Sequence, residues 1–141
     1  LKNLVSQRWL SRELFKAVAR PFFIKRILDI AYPTGKNVDK ELIDILYKPT
    51  TRTDASEAFR GFINLFNDYL APNLMQNMTT KVSLIWGEND PWESLEEAKK
   101  WHQTFKCIHS LDIIKNCGHC PHDENPKEVN TIILRKIQEA I

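Results

Sequence analysis

The sequence predicts an α/β fold in which a helical segment, residues 1–79, is followed by a βαβα unit, residues 80–141, with two parallel strands. Three observations predict it. Before Thr80 the apolar residues recur at helical spacing and no convincing strand is visible. After Thr80 two short apolar runs alternate with two well-capped helices. Strand, helix, strand in that order implies a right-handed crossover between parallel strands. Two parallel strands cannot form a stable sheet alone and normally lie inside a larger sheet covered on both faces. Partner strands outside this sequence are therefore expected.

The helical segment opens with Leu14, Phe15, Val18, Ala19, Phe22, Phe23, Ile27 and Leu28 at helical spacing between Arg12 and about Ile30. Pro21 interrupts this run, so a kink or two helices meeting is expected there. Pro33 and Gly35 mark a turn. A short helix over Val38–Tyr47 carries Leu42, Ile43, Ile45 and Leu46, and Pro49-Thr50-Thr51 reads as a loop. Asp54 with Glu57 three residues on forms a capping box for a helix from Ala55 to about Asn67. Ala58, Phe59, Phe62, Ile63 and Phe66 are its buried stripe. Asn67–Asn77, with Pro72, reads as irregular.

Val82-Ser83-Leu84-Ile85-Trp86, closed by Gly87, reads as a strand buried on both faces. Ser94-Leu95-Glu96-Glu97 is a capping box starting a helix to about Phe105, with Leu95, Ala98, Trp101 and Phe105 inward. Leu111–Ile114 is the second strand. Asn125-Pro126-Lys127-Glu128 starts the last helix with a cap, a first-turn proline and a Glu three residues after the cap. Its core stripe is Val129, Ile132, Ile133 and Ile137, with the stem of Lys136 beside it and its charge in water.

Composition narrows the function classes. A formal charge of +2 on 141 residues gives no argument for nucleic acid. No apolar run approaches the ~18 residues of a membrane-spanning helix. The chain opens at Leu1 rather than Met, so an upstream piece with any targeting segment is expected to precede it. Cys107, Cys117 and Cys120 are odd in number, which fits free thiols in a reducing compartment. Cys117-Gly118-His119-Cys120 is formally C-x-x-C, with His102, Cys107, His109 and His122 nearby. A structural zinc site usually repeats such a pair cleanly, and this sequence does not. Pro121 and a polar run follow the motif where a thioredoxin-like site would need a helix. The expectation is no metal and no cofactor.

Ligands of open α/β sheets bind beyond the carboxyl ends of the strands. Gly87-Glu88-Asn89-Asp90-Pro91-Trp92 follows the first strand there, and Asn116–Glu124 follows the second. Parallel topology brings both loops to one edge, so Asp90 and His119 meet across about thirty residues of sequence. Such an Asp fixes the imidazole tautomer and stabilises the imidazolium, but the pair needs a nucleophile. No G-x-S-x-G elbow exists in the chain.

Val82–Trp92 resembles the seventh strand and acid turn of α/β-hydrolases, and Cys117–Pro126 resembles their histidine loop. The resemblance implies a partial α/β-hydrolase fold with Asp90 as triad acid and His119 as general base. The helical first part then corresponds to the lid. The wording Gly118-His119-Cys120-Pro121-His122-Asp123-Glu124 is similar to plastid and cyanobacterial hydrolases related to pheophytinase and chlorophyll dephytylase. That branch implies a serine nucleophile, a small lipophilic ester substrate, and a cytoplasmic or plastid setting. An aspartate nucleophile, as in epoxide hydrolases and dehalogenases, is the alternative within the superfamily. A catalytically inert fragment or interaction module is the alternative outside it. The chain alone is expected to be inactive, and poorly stable or self-associating through the open edge of its first strand.

Bland readings stand beside these. Asp90 also suits a turn before the helix at Ser94. His122 suits a hydrogen bond within its loop. Asp123 and Glu124 suit the positive end of the last helix. Trp86 and Trp92 serve as substrate-pocket residues or as core packing. Lys2, Arg8, Arg12, Lys16, Arg20, Lys25 and Arg26, against Glu13 alone, form a solvated basic face or a seat on an anionic membrane.

Overall fold

A computed structural model describes residues 8–65 and 70–140. Lys2 of the basic run, Phe66 of the expected stripe and the start of the expected irregular stretch at Asn67 lie outside the described residues. Among the described residues five helices come first: α1 Arg8–Val18, α2 Pro21–Ala31, α3 Lys40–Thr50, α4 Ala55–Leu65 and α5 Ala71–Met75. They are followed by β1 Val82–Gly87, α6 Leu95–Thr104, β2 Ile108–Ile114, α7 Pro121–Glu124 and α8 Pro126–Ala140. The chain forms two compact units. One takes the chain up to Leu28 and Val38–Ala71; the other takes Asp29–Asn37 and Pro72–Ile141. The turn after α2 thus packs with the second unit, although it lies within the helical part of the sequence.

In the first unit, Pro21 opens α2 as a first-turn residue, which costs no hydrogen bond because that N–H has no partner inside a helix. Phe15 on α1 lies against Phe59 on α4, with ring centroids 5.2 Å apart. Asp39 caps α3 by accepting the Leu42 N–H at 2.8 Å. The helix runs through Pro49 to Thr50, where a loop was expected. A proline near the C-terminal end removes only one of the last hydrogen bonds, and the Thr50 hydroxyl donates back to the Tyr47 carbonyl at 2.7 Å. The box expected at α4 does not close through the Asp54 side chain. That carboxylate faces Arg52 at 3.5 Å, and Glu57 pairs with Arg60 at 3.0 Å. Ala58 and Phe62 of the expected stripe are exposed, as are Ile45 and Leu46 on α3. Part of the expected irregular stretch is helical: Pro72 sits in the first turn of α5.

The second unit is built on a parallel pair, β1 beside β2, running in register from Val82 opposite Ile108 to Gly87 opposite Ile114. The register slips between Val82 and Ser83, where His109 has no partner. β2 begins at Ile108, three residues before the apolar run suggests, because His109 and Ser110 hide its start. Ser83 is exposed and most of β1 is half-buried rather than buried on both faces, since β2 is its one neighbour among the described residues. Ser94 caps α6, its hydroxyl accepting the Glu97 N–H at 3.2 Å. Asn125 caps α8, its Oδ1 accepting the Glu128 N–H at 3.3 Å while its side-chain NH2 donates to the Glu128 carboxylate at 2.6 Å. The core is Ile114, Cys117 and Val129 with Ile85 and Ile132 packed against them. Burying a side chain such as Ile114 contributes roughly 1.5–3 kcal/mol. Ile133 and Ile137, expected in that core, are exposed. Lys136 reaches Asp112 at 3.7 Å, and Arg135 reaches the same carboxylate at 2.6 Å.

Candidate active site

β1 and β2 end side by side, so the loops that follow them leave the sheet at the same edge. The two loops are also tied by backbone. The Glu88 N–H donates to the Ile114 carbonyl at 2.9 Å and the Asn89 N–H to the Cys117 carbonyl at 2.8 Å. Gly87 and Gly118 are needed here for space rather than for turn conformation. A Cβ on Gly87 would lie 1.9 Å from the Gly118 carbonyl oxygen, and one on Gly118 would lie 2.2 Å from that of Ala31. The residue of these two loops in the left-handed region is Asn116, with φ 57°.

Asp90 and His119 are brought together: Asp90 Oδ2 lies 2.9 Å from His119 Nδ1. The carboxylate is 6% exposed and the imidazole 40%, so the acid is sheltered while the base faces outward. The other oxygen, Oδ1, accepts the backbone N–H groups of Trp92 at 2.9 Å and Glu93 at 3.0 Å. One Asp90 oxygen thus serves the turn and the other meets the imidazole. Burial by itself would raise the Asp90 pKa. The amides of Glu93 and Trp92, together with His119, outweigh it and hold the carboxyl below its ordinary value.

Trp92 lies edge-on to His119, with ring centroids 4.8 Å apart. Trp86 is placed differently. Its indole N–H donates to the Glu93 carbonyl at 2.9 Å, and its ring packs against Trp101 of α6. The two tryptophans named together from the sequence thus have different surroundings.

The histidine loop has supports that sequence reasoning missed. The His119 N–H donates to the Ala31 carbonyl at 2.9 Å. Tyr32 donates its hydroxyl proton to Asp123 at 2.9 Å. Burial, with hydrogen bonds to Cys120 and Asp123, pushes that phenol well above its ordinary pKa. Glu124 is buried and accepts the Gly118 N–H and the Thr34 hydroxyl. Asp123 and Glu124 are thus engaged by segment 29–37 and the loop itself, rather than merely decorating a helix end. His122, expected to bond within the loop, is exposed. Nothing local marks the contacts of Asp123 with Tyr32 and of Glu124 with Thr34, since they span 91 and 90 residues.

Among the described residues no group of three or more His, Cys, Asp or Glu is placed to hold a metal ion. The three cysteines are free thiols. Burial first, and then the charges of Glu124 and Glu128, raise the Cys117 thiol above its ordinary pKa.

No protein-family model matches the chain. It is 26% identical over 130 residues to an uncharacterized hydrolase, YugF, of Bacillus subtilis (strain 168), covering 91% of this chain and 43% of that protein. It is 25% identical over 100 residues to epoxide hydrolase 3 of Xenopus tropicalis, covering 71% of this chain and 27% of that protein. The chain thus spans less than half the length of either relative. Among solved structures, the meta-cleavage product hydrolase CumD of Pseudomonas fluorescens IP01 superposes with a TM-score of 0.72 at 16% identity, over 86% of this chain and 47% of that one. A bacterial membrane phospholipase A superposes with a TM-score of 0.67 at 21% identity, over 86% of this chain and 39% of that one. The architecture is accordingly a partial α/β-hydrolase fold, and both sequence relatives are named as hydrolases.

Proposed function

We propose that the protein is a carboxylic ester hydrolase in which His119 is the general base and Asp90 orients it. The observation that carries the reading is the 2.9 Å contact between Asp90 Oδ2 and His119 Nδ1, beyond the carboxyl ends of two parallel strands. An ionised carboxylate only accepts hydrogen bonds, so Nδ1 carries the proton and donates it. Nε2 then keeps its lone pair. It takes the proton of the nucleophile as that group attacks the ester carbonyl, and Asp90 stabilises the imidazolium formed. His119 next returns the proton to the departing alcohol. It then activates the water that hydrolyses the acyl-enzyme.

The nucleophile comes from sequence outside these residues, because the chain contains no G-x-S-x-G elbow. We assign it as serine. The 141-residue chain alone therefore has no turnover. The substrate is a lipophilic ester, and the resemblance of the histidine loop to the pheophytinase and chlorophyll dephytylase branch makes a phytyl-type ester the first to try. Trp92, beside the imidazole, lines the substrate side of the site. Phe22, Phe23 and Ile27 stand exposed on α2 near Lys25 and Arg26, an arrangement suited to peripheral contact with an anionic membrane. The Xenopus relative favours a second reading, an aspartate nucleophile acting on an epoxide. The residue at the nucleophile elbow discriminates the two.

The test uses the protein that joins this chain to its nucleophile. His119→Ala abolishes turnover of a short-chain aryl ester while the variant stays folded. Undiminished turnover in that variant refutes the reading.

A further inference from the structure

Glu124 is a buried carboxylate, 8% exposed, and it lies five residues beyond His119. A buried carboxylate is costly unless its lone pairs are used. Here they are. Oε2 accepts the Gly118 N–H at 2.5 Å, Oε1 accepts the Thr34 hydroxyl at 2.7 Å, and the Thr34 N–H approaches Oε1 at 3.4 Å. Gly118 is the residue before His119, and its peptide has no freedom to drift. On one side the Ala31 carbonyl and the Pro33 ring leave no room for a Cβ, and on the other its own carbonyl presses on Gly87. The next N–H along, that of His119, is fixed on the Ala31 carbonyl. The backbone that carries the imidazole is thus held between segment 29–37 and the acid turn, and Glu124 is the side chain that clamps it.

We propose that Glu124 is a positioning residue for His119: through the Gly118 N–H it fixes the imidazole at the distance from Asp90 at which Nδ1–H is shared. The proposal builds on the reading of His119 as general base, but its first test needs no turnover. In the protein joined to its nucleophile, the His119 Nδ1–H proton is followed by NMR, assigned by its loss in His119→Gln. Glu124→Ala speeds exchange of that proton with water about tenfold or more, the scale of one lost charged hydrogen bond. The Trp101 indole N–H signal, bonded to Glu97 within α6, stays in place. Glu124→Gln restores slow exchange, because its amide oxygen takes the Gly118 N–H while its NH2 donates to Thr34 Oγ1. Should Glu124→Ala fail to fold, Glu124→Asp decides. It keeps the charge but withdraws it by one methylene from Gly118, and it too speeds exchange. Unchanged exchange in the folded Ala or Asp variant overturns the proposal.

In the protein joined to its nucleophile, Glu124→Ala lowers kcat by up to about 100-fold, the scale of a 1 Å misplacement, and leaves KM within about twofold. Glu124→Gln recovers most of the loss. A loss of kcat/KM carried by a raised KM alone, with kcat unchanged, overturns the positioning role. The exchange effect without turnover in any variant, wild type included, supports the clamp and defeats the hydrolase reading.

Discussion

Substituting Gly87 tests whether the acid turn and the histidine loop depend on backbone contact. Ala at this position places a Cβ 1.9 Å from the Gly118 carbonyl oxygen, 2.7 Å from that of Cys117 and 2.9 Å from the Gly118 carbonyl carbon. All three are backbone atoms, so no side chain can swing aside. Moving the nearest contact from 1.9 Å to the 3.0 Å that real Cβ atoms tolerate takes a displacement of about 1.1 Å. The loops cannot separate that far without stretching the Asn89–Cys117 and Glu88–Ile114 hydrogen bonds. Overpacking of this kind costs typically 1–3 kcal/mol, and the backbone clash puts Gly87→Ala at about 3 kcal/mol. With a urea slope of about 1–3 kcal/mol per molar, the unfolding midpoint falls by roughly 1–3 M. Gly61→Ala is the control. Nothing lies within 4 Å of its added Cβ, and it sits inside α4, where Ala is favoured by up to about 1 kcal/mol. Urea titration of both variants, with the His119 Nδ1–H proton monitored, gives the answer. A Gly87→Ala midpoint equal to wild type with that proton unmoved would refute the reasoning.

In the protein joined to its nucleophile, Asp90→Asn lowers kcat/KM about 10³–10⁴-fold, because an amide no longer compels the Nδ1–H tautomer; a loss under tenfold contradicts the assignment. Acid stability follows from the lowered Asp90 pKa. The carboxylate stabilises the fold above its unfolded value of about 3.9, and this contribution disappears as pH falls through the lower folded value. Urea midpoints between pH 7 and pH 3 therefore drop less in Asp90→Asn than in wild type, and identical slopes would contradict the linkage. The isolated chain self-associates in sedimentation velocity, since β1 has one neighbour among the described residues and Ile133, Leu134 and Ile137 are exposed on α8. A monodisperse, highly stable monomer would contradict this.

Much of the fold was legible because its signals are local. Ser94 and Asn125 mark two helix starts within four residues of sequence, and both side chains form the caps they suggest. Pro21 separates two helices. The strand-helix-strand order was enough to bring Asp90 beside His119, because parallel strands must end at a common edge. Burial was less legible. The stripes on α3, α4 and α8 have apolar spacing, yet Ile45, Phe62 and Ile137 stay exposed, since periodicity says which face is apolar and not what covers it.

The sequence by itself determined the elements from Val82 onward, the crossover that makes the strands parallel, and the pairing of one carboxylate with one imidazole. Only the tertiary structure decided that Glu124 is buried against Gly118 and Thr34, that the Ala31 carbonyl holds the His119 backbone, and that Gly87 is needed for room. The reason is range. Caps, turns and strand order act over a few residues or through topology. The contacts that tie the histidine loop to Tyr32 and Thr34 join residues about ninety positions apart, and no short pattern encodes which distant carbonyl or hydroxyl will arrive there.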